Sequence, residues 1–302
     1  MLSSQVMDLP LPAAAERSLS PAPPYAVLAP AAQAAPLVFA SPHSGRSYPA
    51  EFIAAARLDP HALRRSEDSF VEELFEAAPR QGCPLIHALF PRAFCDANRE
   101  PWELDPAMFD DALPGYVNAA SPRVGAGLGT IARVVATGEA IYRRKLSFAE
   151  AEARIIACWQ PYHDALAGLI AATRERFGAC LLIDCHSMPA LPGQGRHRQP
   201  DIVLGDAHGT AASPLAMRRI EERLLDAGFT VRRNDPYAGG FVTRHYGRPR
   251  EGVHAVQIEI ARSLYMDEER IARNGGFAPL RARLEGVITT LAAEDWSMLR
   301  RG

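Results

Sequence analysis

CLLIDCHS, residues 180–187, sets the fold class. Cys180 to Ile183 are continuously apolar, and the run ends on the polar residues Asp184, His186 and Ser187. An apolar run this short is a strand buried on both faces, the kind found in sheets sandwiched between helices. The same pattern returns at 36–41 (PLVFAS), 83–89 (CPLIHAL), 201–205 (DIVLG), 229–233 (FTVRR) and 254–260 (HAVQIEI). Between these runs, apolar residues recur at helical spacing over 69–78, 147–176, 211–227 and 267–293, for example Leu280, Leu284, Val287, Ile288 and Leu291. Strands alternating with helices predict an α/β fold with a mixed central sheet covered by helices on both faces. The working residues of such a sheet gather beyond the carboxyl ends of its strands.

No internal repeat or second domain interrupts residues 36–302, which read as one domain. Residues 1–35, rich in Ala and Pro with Pro21, Pro23 and Pro24 close together, read as an arm or a draped extension, because Pro breaks both helix and sheet. Residues 100–140, rich in Gly, Pro and Asp, predict long loops over one edge. The 33 Lys and Arg against 35 Asp and Glu leave a net charge of -2, with no basic stripe for nucleic acid. No apolar run is long enough for a membrane span, and the first residues carry no secretory signal. Five scattered Cys without a C-x-x-C pair predict free thiols in a reducing, cytoplasmic compartment.

Polar residues cluster where the apolar runs stop. His43 follows 36–41 and His186 closes 180–185, so the two imidazoles are expected at one crevice. Two histidines plus a third ligand, a carboxylate or another His, make a catalytic zinc site with an open position for water. Asp68 is the candidate third ligand; its alternative is a helix N-cap for 69–78. Neighbouring strand residues point to opposite faces, so Cys185 is expected to pack against a helix while Asp184 shares the face of His186.

Glu259 shares a face with Gln257 on a strand whose other face carries Val256, Ile258 and Ile260. A buried carboxylate there is either a general base or the partner of an arginine. Arg92, Asn98 and Arg99 follow their strand in a loop and suit carboxylate binding through the planar guanidinium fork. Arg244 and Tyr246, after Gly239-Gly240, form a second such group, on either a mobile loop or a plain glycine-rich connection.

SPHSG at 41–45, SEDSFVEELF at 66–75, RAFCDANRE at 92–100, DCHSMP at 184–189, PYAGGFVTRHYGRP at 236–249 and QIEIARSLYM at 257–266 follow one another in order. This series, spanning roughly residues 37–290, resembles the N-formylglutamate amidohydrolase family. That family is similar in turn to zinc carboxypeptidases and aspartoacylases, which implies a phosphorylase/hydrolase-like α/β fold.

The resemblance implies one divalent metal, zinc, held by His43, Asp68 and His186, with Glu259 as the catalytic glutamate. It also implies that Asn98 and Arg99 of Asp96-Ala97-Asn98-Arg99 hold a substrate carboxylate. The wider group carries H-x-x-E, whereas Ser-Gly-Arg follows His43. The carboxylate ligand must then come from elsewhere, and Asp68 fits the family's D-x-x-V segment with Glu67 as its nearest rival.

The expected activity is hydrolysis of an N-acylated acidic amino acid, N-formyl-L-glutamate to formate and glutamate, as in histidine degradation. The expected partner is that small substrate, with no nucleic acid and no membrane. The rival readings are another N-acyl amino acid or small-amide hydrolase on the same scaffold, and a ligand-binding relative without catalysis.

Overall fold

A computed structural model describes residues 24–190 and 199–300. Seven strands form one sheet in the order β1-β3-β2-β4-β7-β5-β6: β1 Tyr25–Leu28, β2 Leu37–Ser41, β3 Leu85–Ala88, β4 Cys180–Met188, β5 Ile202–Gly205, β6 Val231–Arg233 and β7 Val253–Ala261. β3, β2, β4 and β7 run parallel. β1 lies antiparallel on β3, and β5 antiparallel on β7, so the sheet is mixed. All six apolar runs of the sequence are strands. β1 lies within the Ala/Pro-rich segment: only four residues long, it closes the sheet edge by pairing Tyr25 with Ala88 and Leu28 with Leu85.

Alternation along the strands divides the core in two. Leu181, Ile183, Cys185, Val256, Ile258 and Ile260 pack against the helices Pro214–Asp226 and Phe277–Ala293. Val38, Ala40, Ile86, Leu182 and Ala255 pack on the opposite face against the helix Gln160–Phe177 and the loops after β3. Each fully buried Leu or Ile in these layers stabilises by about 1.5–3 kcal/mol. Among the described residues, no helix is long and apolar enough to cross a membrane.

Three expected helices are shorter than their apolar periods. The 69–78 helix shrinks to Val71–Leu74, because Phe70 adopts a left-handed backbone (φ 67°). That conformation costs an aromatic residue about 1–3 kcal/mol, and it is held by packing on Phe277 and by Arg46 and Arg273 over the ring. The 147–176 stretch is two helices, Phe148–Arg154 and Gln160–Phe177, joined by a π-turn at Ile155–Trp159. Pro161 lacks the N–H that a regular helix would need there. The 267–293 helix starts only at Phe277, after Gly275-Gly276; the residues before it form a small hairpin, Met266–Asp267 with Ala272–Arg273.

Candidate metal centre and active-site cavity

Parallel register carries the site. His186 on β4 pairs with Glu259 on β7, and Asp184 pairs with Gln257, at the carboxyl ends of the central strands. β2 ends at Ser41, which brings His43 to the same crevice, and the turn at 67–69 delivers Asp68 from the other side. His43, Asp68 and His186 are all buried, and one ligand atom from each lies within 4.8 Å of the others. Asp68 does not cap a helix: its Oδ2 lies 2.8 Å from His186 Nδ1 and 3.5 Å from His43 Nδ1. Glu67 is turned away, with its carboxylate accepting from Tyr48, Arg64 and Ser69.

The imidazoles are oriented from behind by two further carboxylates. Asp96 Oδ1 lies 2.6 Å from His43 Nε2, and Asp184 Oδ1 lies 2.9 Å from His186 Nε2. A carboxylate can only accept, so both Nε2 atoms carry hydrogen and both Nδ1 atoms turn inward. His43 Nδ1 is then a buried lone pair with no hydrogen-bond partner. His186 Nδ1 meets Asp68 Oδ2, a contact between two acceptors unless a positive charge lies there.

A proton on His186 supplies that charge in the bare protein. Burial opposes it, but Asp184 and Asp68 hold the imidazole pKa well above its ordinary value. Burial also works against an ionised Asp68, and the two imidazoles, His186 foremost, still hold its carboxyl well below the usual range. A divalent cation fits the same place better, because it would also satisfy the orphaned His43 Nδ1. The donor set of two imidazoles and one carboxylate suits zinc, and carboxylates behind metal-binding histidines are a common support.

Glu259 is buried beside this cluster. Its Oε1 accepts from Gln257 Nε2 at 2.8 Å, and the Gln257 amide is itself fixed because its Oε1 accepts from Gly240 N–H. Burial pushes the Glu259 carboxyl up to about 7. Among the described residues no arginine forms a salt bridge with it; the side chain that holds it is Gln257.

A cavity of about 440 Å³ opens over these groups and is also lined by Arg92, Asn98, Arg99 and Arg244. Arg99 donates Nε to Leu128 O and Nη1 to Asn98 O, and its Nη2 lies 4.0 Å from Asp96 Oδ2. Burial lowers its pKa to about 10, and it stays a cation at neutral pH. Arg92 donates Nη2 to Asp96 Oδ2 at 3.0 Å. Asn98 Oδ1 accepts from Val242 N–H at 2.7 Å, which ties its loop to the helix Phe241–Tyr246. Arg244 reaches the cavity from the short helix Phe241–Tyr246 and donates to Gly239 O.

Tyr246 does not line the cavity; its hydroxyl bonds His163, whose Nε2 lies 2.8 Å from Ala97 O. Trp159 Nε1 donates to Arg99 O at 3.0 Å, so the π-turn and the helix after it clamp the Asn98-Arg99 loop from behind. Gly239 and Gly240 are buried, and Gly240 N–H donates to Gln257 Oε1. A methyl group on Gly240 would overlap the Asn98 amide, so glycine permits this close approach.

Asp96 stands in the segment Asp96-Ala97-Asn98-Arg99, but its role behind His43 is not read from sequence; the local sign is its turn, in which Asn98 N–H donates to its Oδ1. Arg262, within the segment QIEIARSLYM, and Arg123 also line the cavity, and neither is read as a site residue from sequence.

The family model for N-formylglutamate amidohydrolase matches residues 35–266. Two curated relatives, both called N-formylglutamate deformylase, are similar to this chain. The one from Pseudomonas aeruginosa is 31% identical over 239 residues, 78% of this chain and 83% of that protein. The one from Pseudomonas putida is 29% identical over 237 residues, 77% and 82% of the two chains. The crystal structure of N-formylglutamate amidohydrolase from Ralstonia eutropha JMP134 superposes with a TM-score of 0.84 at 39% identity, covering 89% of this chain and 97% of that one. With a matching model over most of its length and a relative this similar in fold and sequence, the chain belongs to the N-formylglutamate amidohydrolase family.

Proposed function

We propose that the protein is a metal-dependent amidohydrolase that cleaves an N-acylated acidic amino acid, N-formyl-L-glutamate being the simplest substrate. The observation that carries this is the orphaned His43 Nδ1 beside Asp68 and His186, with Glu259 in register across the sheet. His43 Nδ1, Asp68 Oδ2 and His186 Nδ1 would hold the metal, zinc by the chemistry of the donors. When bound, the cation supplies Lewis-acid activation of water and of the acyl carbonyl.

Glu259 is the proton carrier in this account. With Oε1 held by Gln257, Oε2 is free to take a proton from water as its oxygen bonds to the acyl carbon. The same carboxyl returns that proton to the departing nitrogen as the C–N bond breaks, giving formate and glutamate from the formyl substrate. A buried carboxyl, whose charged form is opposed by desolvation, is suited to taking up and returning a proton. Arg99, Arg92 and Arg244, which line the cavity, bind the carboxylates of the substrate. Asn98 acts by holding its loop to the helix Phe241–Tyr246, and Tyr246 acts only through His163.

The test is hydrolysis of a panel of N-acyl amino acids by metal-loaded protein. Preference for N-formylglutamate supports the proposal. Preference for another acyl group supports a different amidase on this scaffold, and turnover of none supports a binding protein without catalysis.

A further inference from the structure

The two oxygens of Asp68 have different partners. Oδ2 faces the imidazoles, at 2.8 Å from His186 Nδ1 and 3.5 Å from His43 Nδ1. Oδ1 faces cations, with Arg262 Nη2 at 3.1 Å and Arg92 Nη1 at 4.0 Å. Arg262 is buried, its Nη1 lies 3.8 Å from Glu268 Oε2, and its planar fork also reaches two elements of the site. Nη2 donates to Glu67 O at 2.7 Å and Nε donates to Ser187 Oγ at 3.2 Å.

One guanidinium therefore joins three metal-site elements. It arises directly after β7, three residues beyond Glu259; it grips the turn carrying Asp68; and it grips the residue after His186 on β4. The Asp68 turn has no strand of its own to fix it, and Phe70 just beyond it holds a strained backbone.

We propose that Arg262 is a positioning residue of the metal centre, which occupies Asp68 Oδ1 and leaves Oδ2 as a single-oxygen ligand beside the two histidines. Three ligand atoms in place of four keep a coordination position open for water, as a hydrolytic site requires. The proposal rests on the metal site described above. It differs from a substrate-clamp role, which the place of Arg262 on the cavity wall would otherwise suggest.

The experiment uses full-length protein stripped by a chelator, with Zn2+ affinity measured by competition against a chromophoric chelator and the Co2+-loaded protein followed by visible spectroscopy. Arg262→Lys keeps the charge and loses the fork, so whatever changes is geometry. Its Zn2+ affinity should fall about 10- to 100-fold, the range for supports of metal ligands, and its Co2+ spectrum should shift as Asp68 rearranges. Ser187→Ala removes one arm only and should weaken Zn2+ less; it decides the matter if Arg262→Lys does not fold.

Wild-type affinity and an unchanged Co2+ spectrum in folded Arg262→Lys would overturn the proposal. A raised KM for the N-acyl amino acid in that variant would then make Arg262 a clamp. If Arg262→Lys is unfolded, an unaltered affinity and spectrum in Ser187→Ala overturns it equally. Failure of the wild-type protein to take up metal would refute the metal site itself, and the brace with it.

Discussion

His186 and Glu259 are register partners on adjacent parallel strands, so one imidazole of the metal cluster and the buried carboxyl lie side by side by construction of the sheet. Moving either strand by one residue would turn one of them into the opposite core, because side chains alternate between faces. The site is therefore fixed by the same hydrogen bonds that hold the central sheet.

Glu259→Gln keeps the shape and removes the proton carrier. Its kcat should fall by at least about 10²- to 10⁴-fold, with KM changing far less and metal content unchanged. Steady-state kinetics and elemental analysis on the one variant check this. A folded, metal-replete Glu259→Gln enzyme of normal kcat would remove Glu259 from the mechanism.

The raised pKa of Glu259 has a stability consequence with a defined sign. Its folded value of about 7 lies above the ordinary 4.5, so the folded state binds this proton more tightly than the unfolded chain. The contribution is fully present below the unfolded pKa and is lost as pH rises through about 7. In the metal-free protein the loss is on the order of 3 kcal/mol, since a tenfold difference in proton affinity between the folded and unfolded chain is worth about 1.4 kcal/mol. Melting curves from pH 4 to 8 should show wild type losing ground to Glu259→Gln as pH rises; parallel curves would contradict this.

Arg99→Ala should lower kcat/KM by about 2–4 kcal/mol, from a charged hydrogen bond and an unpaired substrate charge. Arg99→Lys should recover little, because it lacks the fork that spans Asn98 O, Leu128 O and the cavity. Normal KM and kcat in Arg99→Ala would shift the clamp to Arg92 or Arg244.

Gly240→Ala tests the docking of the Phe241–Tyr246 helix. The added methyl group meets the Asn98 amide, which must move and release Val242 N–H. Overpacking of this kind costs about 1–3 kcal/mol of stability. Denaturant melts and kcat/KM should fall together. A variant as stable and active as wild type would show that the Asn98 contacts do not matter.

The strands were legible because each is a short apolar run closed by polar residues, and the site was legible where those runs stop, at His43, His186 and Glu259. What stayed hidden depends on distant partners. Arg262 lies within QIEIARSLYM, but it acts through Asp68, 194 positions away, a partner that the segment does not reveal. Tyr246 lies beside Arg244 in sequence but the turn of the helix places its hydroxyl on His163, behind the substrate loop. β1 is a strand only because the β3 edge offers a partner, against the Pro-rich composition before it. The helix expected at 69–78 gives way at Phe70, where aromatic packing overrides propensity and turns Asp68 toward the histidines.

If His43, Asp68 and His186 hold a metal on which hydrolysis depends, the most direct measurement is titration of chelator-stripped protein with Zn2+, following both binding and cleavage of N-formyl-L-glutamate. Activity should be absent at the start, rise in proportion to bound metal and stop rising at about one equivalent per chain, while His43→Ala binds no metal at that concentration and stays inactive. Full activity in the stripped protein, or a fully active His43→Ala variant, would contradict the account.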